Sequence, residues 1–234
     1  MGDSTSRPLS GRNEFMAIQA VIFDMDGVLV DSEVYWLQSR QEFAQSIGKV
    51  WTMDDQRLAM GRNTVEWAHV MRERLHLDMA IDDIITEIKG RVIAHYEERL
   101  PLLPGAIEAV HAAAAEYRIA LASGSPTEII QRVMQLTGLD SVFEFMVYGD
   151  DQPNGKPAPD IYLETARLLN VAPQNCVGIE DSVNGVKALK AAAMYAIAVP
   201  SPGFTLPEDI AAMADRILPS LEGFSPSMVR ELTP

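Results

Sequence analysis

Ala17-Ile18-Gln19-Ala20-Val21-Ile22-Phe23-Asp24-Met25-Asp26-Gly27 opens on a short apolar run rich in Val and Ile and stops abruptly at two aspartates and a glycine. Such a run suits a strand buried on both faces of a parallel sheet. Similar runs recur at Ile119 to Ala122, Phe145 to Tyr148, Cys176 to Ile179 and Tyr195 to Val199, with helix-periodic segments between them. Alternating strands and helices with short connections predict an α/β fold, a doubly wound parallel sheet whose ligand site lies beyond the carboxyl ends of its strands. Ser125-Pro126-Thr127-Glu128 reads as a helix start, with an N-cap serine, proline at the first helical position and a capping-box glutamate. Gly138 is placed to end that helix, and Pro159-Asp160 opens another that Asn170 closes.

The interval from Ser32 to about Leu100 breaks the alternation, because its pattern is helical throughout. Val34, Leu37, Phe43 and Ile47 share one predicted face, and Ile81, Ile84, Ile85, Ile88 and Val92 form another stripe. Gly48, Thr52 to Asp55 and Asn63 to Glu66 read as helix stops and starts. Coming directly after the first strand, with Pro101 and Pro104-Gly105 at its return, this interval reads as a helical cap domain (32–100) inserted into a catalytic core (15–31 and 101–234). Residues 1–14 are small, polar and aperiodic, and are expected to form a disordered tail.

The 234 residues are 47% hydrophobic and 22% charged, a globular balance. No apolar run approaches the roughly 18 to 20 residues of a membrane span, and the first residues lack the apolar centre of a secretory signal, so a cytoplasmic protein is expected. Cys176 is the single cysteine, which rules out an internal disulfide and a cysteine zinc cluster. His69, His76, His95 and His111 follow no ligand spacing. A formal net charge of -14 makes nucleic acid and acidic membranes poor partners. A small phosphorylated substrate fits if a metal or a lysine supplies local positive charge. The chain is expected to act as a monomer or small homo-oligomer.

Four elements follow four predicted strands: Asp24-Met25-Asp26-Gly27, Ser123-Gly124-Ser125, Gly155-Lys156-Pro157 and Glu180-Asp181-Ser182. Singly, each has an ordinary explanation as a turn, a cap or a solvated lysine. Together they supply the parts of phosphoryl transfer: a nucleophile, a general acid and positive charge where negative charge crowds. Asp24 and Asp26, two residues apart on extended backbone, project to one side, so the first can attack phosphorus while the second serves the leaving group. Gly27 permits a sharp exit. Asp24, the backbone carbonyl of Asp26 and Asp181, with Glu180 nearby, make a reasonable Mg²⁺ site. Lys156 adds a point charge against the phosphoryl oxygens, Ser123 a hydroxyl, and Gly124 close backbone approach ahead of a helix N-terminus.

These residues closely resemble the haloacid dehalogenase superfamily, in its β-phosphoglucomutase-like and phosphatase subgroup, from about Phe15 to about Leu218. Asp24-Met-Asp-Gly-Val-Leu-Val-Asp-Ser-Glu matches the first motif, Ser123 the second, Lys156 in Gly-Lys-Pro-Ala-Pro-Asp the third, and Glu180-Asp181-Ser the fourth. The resemblance implies a phospho-aspartyl intermediate on Asp24, acid and base work by Asp26, an essential Mg²⁺ and a helical cap after the first motif. Asp31 is expected at the cap junction as a hinge or capping residue, and Ser182 as a helix cap.

The expected activity is that of a Mg²⁺-dependent phosphatase acting on a small phosphorylated metabolite. Asp26 argues against carbon-halogen and phosphonate cleavage, whose family members lack the second aspartate. Sugar phosphomutases keep both aspartates but carry a histidine in the first cap helix, where this sequence has Trp36; that difference favours hydrolysis. Gly149 to Lys156 fails as a P-loop, its spacing one residue too long and proline following the lysine. A non-catalytic binding protein would be expected to have lost a carboxylate or the lysine. Arg62, in the Gly61-Arg62-Asn63 break, reads as a cap specificity contact or as a solvated loop arginine.

Overall fold

The computed structural model describes residues 17–60, 62–201 and 204–232. The expected tail at 1–14 lies outside the described residues, as does Gly61. Six parallel strands, β1 (Ala20–Phe23), β2 (Arg118–Ser123), β3 (Phe145–Tyr148), β4 (Cys176–Glu180), β5 (Tyr195–Ala198) and β6 (Arg216–Ile217), form one sheet in the order β3-β2-β1-β4-β5-β6. The order reverses direction at β1, which pairs with β2 on one side and β4 on the other, making the carboxyl end of β1 the topological switch point.

Every residue of β1 is buried, and alternation divides the strand between two cores. Val21 and Phe23 join Ile119, Leu121, Val177 and Ile179 on one face. Ala20 and Ile22 join Ala120, Ala122 and Cys176 on the other, under α7 (Asp160–Leu168) and α8 (Val183–Ala191). The five predicted runs lie within a residue or two of observed strands, apart from the start of β1. β6, two residues long, carries too little pattern to be read from sequence.

Four consecutive helices follow β1: α1 (Glu33–Ser46), α2 (Met53–Ala59), α3 (Thr64–Arg74) and α4 (Ile81–Glu98). They pack α1 on α4, α2 on α3 and α3 on α4, forming the inserted helical cap. Its starts are those the sequence predicts. Thr52 and Asp55 exchange side-chain and backbone hydrogen bonds in a capping box, as do Asn63 and Glu66. Gly48 adopts the left-handed conformation that ends the first turn region. The α4 stripe is buried from Ile84 to Val92 and continues to Tyr96, with Ile81 partly buried.

The predicted α1 face requires correction. Val34 and Ile47 are exposed, and the buried residues are Trp36, Ser39, Arg40, Phe43 and Ala44. Helix rotation is set by two aromatic rings and a buried arginine rather than by the aliphatic stripe.

Chain entry and exit from the cap are tied together: Asp31 N donates to Pro101 O at 2.9 Å and Leu103 N to Leu29 O at 2.9 Å. Ion pairs Lys89–Glu128 (2.9 Å) and Arg132–Glu97 (2.6 Å) join α4 to α6 (Thr127–Thr137) of the core. The core is completed by α5 (Ala106–Ala114), α9 (Glu208–Ala211) and α10 (Pro226–Arg230).

A second correction concerns α6. Its cap residue is Pro126 and Ser125 does not cap it; Thr127 N instead donates to Asp150 Oδ2 (3.2 Å), and Glu128 turns to Lys89 of the cap. A carboxylate from the loop after β3 thus does what the local serine was expected to do. Gly138 ends α6 at φ 70°, and Asn170, at φ 50°, lies just past the end of α7, both as expected.

Ile22 is fully buried at the centre of the sheet. Ile22→Ala is expected to lower the free energy of unfolding by about 2 to 5 kcal/mol, through lost transfer energy and the cavity left behind. Urea denaturation with the slope held against wild type measures it.

Candidate active site

Neighbouring strands carry the four sequence elements to one edge. Asp24 follows β1, Ser123 ends β2, Lys156 lies in the loop after β3, and Glu180 ends β4. The ladder runs into the site, since Asp24 N donates to Ile179 O at 3.0 Å.

Lys156 is the hub. Its Nζ donates to Asp24 Oδ1 at 2.9 Å, Glu180 Oε1 at 2.6 Å and Ala122 O at 3.4 Å. It also lies 5.1 Å from the centre of the Tyr162 ring. Burial works against this cation, but Asp24 and Glu180 outweigh it and raise its pKa well above the usual lysine value.

Glu180 is fully buried and saturated with donors. Oε1 accepts from Lys156 and from Tyr162 OH at 2.6 Å; Oε2 accepts from Asp181 N, Ser182 N and Ser182 Oγ at 3.1, 3.3 and 3.1 Å. Ser182 Oγ in turn accepts from Gly185 N at 3.0 Å and caps α8, as its sequence position predicts. Gly185 is required here, because a Cβ would lie 1.8 to 2.0 Å from the Glu180 carboxylate.

Asp181 Oδ2 accepts from Ser201 Oγ at 2.6 Å. Gly27, at φ 72°, makes the predicted sharp exit, and a Cβ there would fall 1.9 Å from Asp181 Oδ2. Asp26 Oδ2 accepts from Ser123 Oγ at 3.2 Å, while Asp26 Oδ1 is buried with no partner among the described residues. Ser123 Oγ also accepts from Ser125 N at 3.2 Å. A Cβ on Gly124 would meet nothing within 4 Å, so the space beside it is open. The amide of Thr127 is taken by Asp150, so it is not available to an anion as the sequence suggested.

Carboxylate oxygens of Asp24, Glu180 and Asp181 lie within 4.8 Å of one another, giving three like-charge pairs against the two attractive contacts of Lys156. Unit charges about 4 Å apart near a protein surface interact by roughly 4 kcal/mol, so one ammonium does not balance the cluster. The effect is visible in the acids. Burial first, then Glu180, pushes Asp181 up to about 7. Burial likewise raises Asp24 well above the carboxylate range, with Lys156 opposing and Glu180, Asp26 and Asp181 adding to it. An oxygen-only donor set with surplus negative charge fits a hard divalent cation.

Among the sequence-predicted site residues, Asp24, Asp26, Ser123, Lys156, Glu180 and Asp181 come together. Arg62 is not drawn into this network; it is exposed and its Nε donates to Leu58 O at 2.6 Å, at the end of α2. Two contributors escaped the sequence. Tyr162 sits on the buried face of α7 and looked like core, and Ser201 lies in a loop whose composition carries no signal.

A switch-point site that joins two aspartates two residues apart, a buried lysine and an acidic pair marks a hydrolase of the phosphoryl-transfer type. Comparison with known proteins gives the family. A haloacid dehalogenase-like hydrolase model matches residues 18–193, and the chain belongs to that family. It is 37% identical over 185 residues to the phosphorylated carbohydrates phosphatase of Thermotoga maritima, covering 77% of this chain and 84% of that one. Over 200 residues it is 34% identical to hexitol phosphatase B of Escherichia coli K12, covering 79% and 85%. A crystal structure of β-phosphoglucomutase from Clostridium difficile superposes with a TM-score of 0.76 at 25% identity, covering 92% of this chain and 96% of the other. No helix among the described residues is long and apolar enough to cross a membrane.

Gly185→Ala is expected to push the Glu180 carboxylate away from Lys156 and reduce turnover on the order of 10²-fold, the cost of roughly 1 Å of misplacement at a reacting centre. Steady-state kinetics beside a circular dichroism spectrum test this. Unchanged turnover in a folded variant would show that Lys156 is held without Glu180.

Proposed function

We propose that the chain is a Mg²⁺-dependent phosphatase that cleaves small, hydroxyl-rich phosphate monoesters through a phospho-aspartyl intermediate. The observation that carries this reading is the division between two aspartates two residues apart. Asp24 is salt-bridged to Lys156, whereas Asp26 is held by a neutral hydroxyl with its other oxygen free.

In the first step an Asp24 carboxylate oxygen bonds to phosphorus as the bond from phosphorus to the leaving oxygen breaks, and Asp26 gives that oxygen its proton. In the second, Asp26 takes a proton from water, whose oxygen attacks phosphorus, and the bond to Asp24 breaks to release inorganic phosphate. Lys156 and the Ser123-Gly124 corner hold the phosphoryl oxygens. Asp24 and Asp181, with the backbone carbonyl of Asp26 and with Glu180 bordering them, would hold Mg²⁺, which supplies charge to offset those oxygens.

The named activities of the carbohydrate and hexitol phosphatases support a polyol or sugar phosphate as substrate. A phosphomutase is the second reading, supported by the structural similarity to β-phosphoglucomutase. Against it, Trp36 is buried and packed 5.7 Å from Trp67, so the first cap helix presents no imidazole at that position.

Asp24→Asn is expected to remove turnover, by roughly 10⁴-fold or more, in a folded protein. Asp26→Asn separates the two steps. With p-nitrophenyl phosphate, whose leaving group needs no proton, it is expected to give a stoichiometric burst of p-nitrophenol followed by slow phosphate release. No burst together with wild-type steady turnover would overturn the two-step assignment. Chelation is expected to abolish activity and Mg²⁺ to restore it. With a sugar phosphate, free phosphate rather than an isomerised product is the expected outcome.

A further inference from the structure

Glu33 opens α1 and carries a solvent-reachable carboxylate between cap and core. Val30, three residues before it, bridges to Asp26 and accepts from Gly27 N at 2.8 Å, and Asp31 N donates to Pro101 O at the cap junction, so Glu33 begins the cap directly after the Asp26 loop. One of its oxygens is held from the cap. Gln56 Nε2 donates to Glu33 Oε2 at 3.0 Å, and Glu33 Oε1 has no hydrogen bond among the described residues.

The direction of that bond is fixed by groups that can only donate. Arg40 Nη1 (3.1 Å) and Trp51 Nε1 (2.9 Å) both donate to Gln56 Oε1, so the amide oxygen must face them and the NH₂ must face Glu33. Arg40 is fixed in its turn. It is 4% exposed, has no carboxylate within 4.0 Å among the described residues, and lies 5.2 Å from the ring centres of both Trp36 and Trp67. Burial lowers its pKa to about 10, with Glu33 as the charge that opposes the loss, so it remains a cation at neutral pH.

We propose that Glu33 is a substrate-contacting residue that accepts hydrogen bonds from leaving-group hydroxyls, and that Gln56, clamped by Arg40 and Trp51, is the positioning residue that aims it. The inference rests on the phosphatase reading and names its specificity device. An ionised carboxylate is acceptor-only, so its complement is a donor, and a polyol chain next to the ester oxygen offers several. Pre-oriented from one side, Glu33 need not be ordered by the substrate itself.

The test compares a hydroxylated monoester, hexitol 6-phosphate, with p-nitrophenyl phosphate, whose leaving group has no hydroxyl donors. Glu33→Ala is expected to reduce kcat/KM for the hexitol phosphate by roughly 10- to 100-fold, the value of hydrogen bonds to a charged group, with the aryl ester changed less than about twofold. Gln56→Leu is expected to give the same selective loss at a smaller size, about 3- to 10-fold. Glu33→Gln gives an independent reading if the alanine variant folds poorly, again with a loss confined to the hexitol phosphate. Equal losses on both esters would mean a structural role for the network and overturn the proposal, as would no loss on either. Absence of turnover by wild type on both esters would overturn the phosphatase reading and this inference with it.

Discussion

Surplus buried negative charge governs the carboxyl edge of this sheet. Asp24 and Glu180 are taken out of water beside Asp181, and Lys156 alone is shared between the first two. Burial of unpaired charge costs several kcal/mol per ion even after relaxation, so each oxygen must find a donor. Much of the local architecture follows. Tyr162 reaches from α7 to Glu180, the amides after β4 turn toward the same carboxylate, and Ser182 both donates to Glu180 and caps α8. One carboxylate therefore links the lysine that binds Asp24 to the start of a core helix. Two glycines follow from the same packing, since side chains at Gly27 and Gly185 would occupy the space of Asp181 and Glu180.

The cap uses the opposite arrangement. A buried cation, Arg40, packs beside two indole rings rather than against a carboxylate, and its hydrogen bond passes through Gln56 to Glu33. An apolar residue at position 40 would avoid the desolvation cost of a guanidinium, so packing alone gives no reason for arginine there. The polar chain instead fixes how α1, α2 and α3 meet, through Trp36, Gln56 and Trp67, and delivers that geometry to Glu33.

The sheet was legible because strands buried on both faces read as continuous apolar runs, and because the reactive elements all sit at their ends. Capping boxes at Thr52 and Asn63 were legible for a similar reason, being local exchanges between residues three apart. What sequence concealed was non-local or polar. Asp150 caps α6 from 23 residues away, displacing Ser125. The α1 face was misassigned because Ser39 and Arg40 are buried while Val34 and Ile47 are not. Tyr162 resembles any core aromatic until its hydroxyl is located, and Ser201 is brought to Asp181 by the segment that follows β5.

The two aspartates that end the first apolar run are alike in sequence, and their surroundings separate them. Burial raises the pKa of Asp24, and an ammonium at 2.9 Å opposes that rise and favours the charged form that the proposed nucleophile needs. Asp26 has no lysine or arginine within 4.0 Å among the described residues; a serine hydroxyl fixes one oxygen and leaves the other unclaimed. A proton carrier must exist in both protonation states during one turnover, and a tightly paired cation would oppose its protonated form. Under the proposed mechanism, Lys156 on Asp24 and Ser123 on Asp26 serve those two roles. That placement follows from strand order, because Lys156 comes from the loop after β3 and reaches across β2 to Asp24 and Glu180 beyond it. The proposed division between nucleophile and acid thus rests on the sheet topology as much as on the motif.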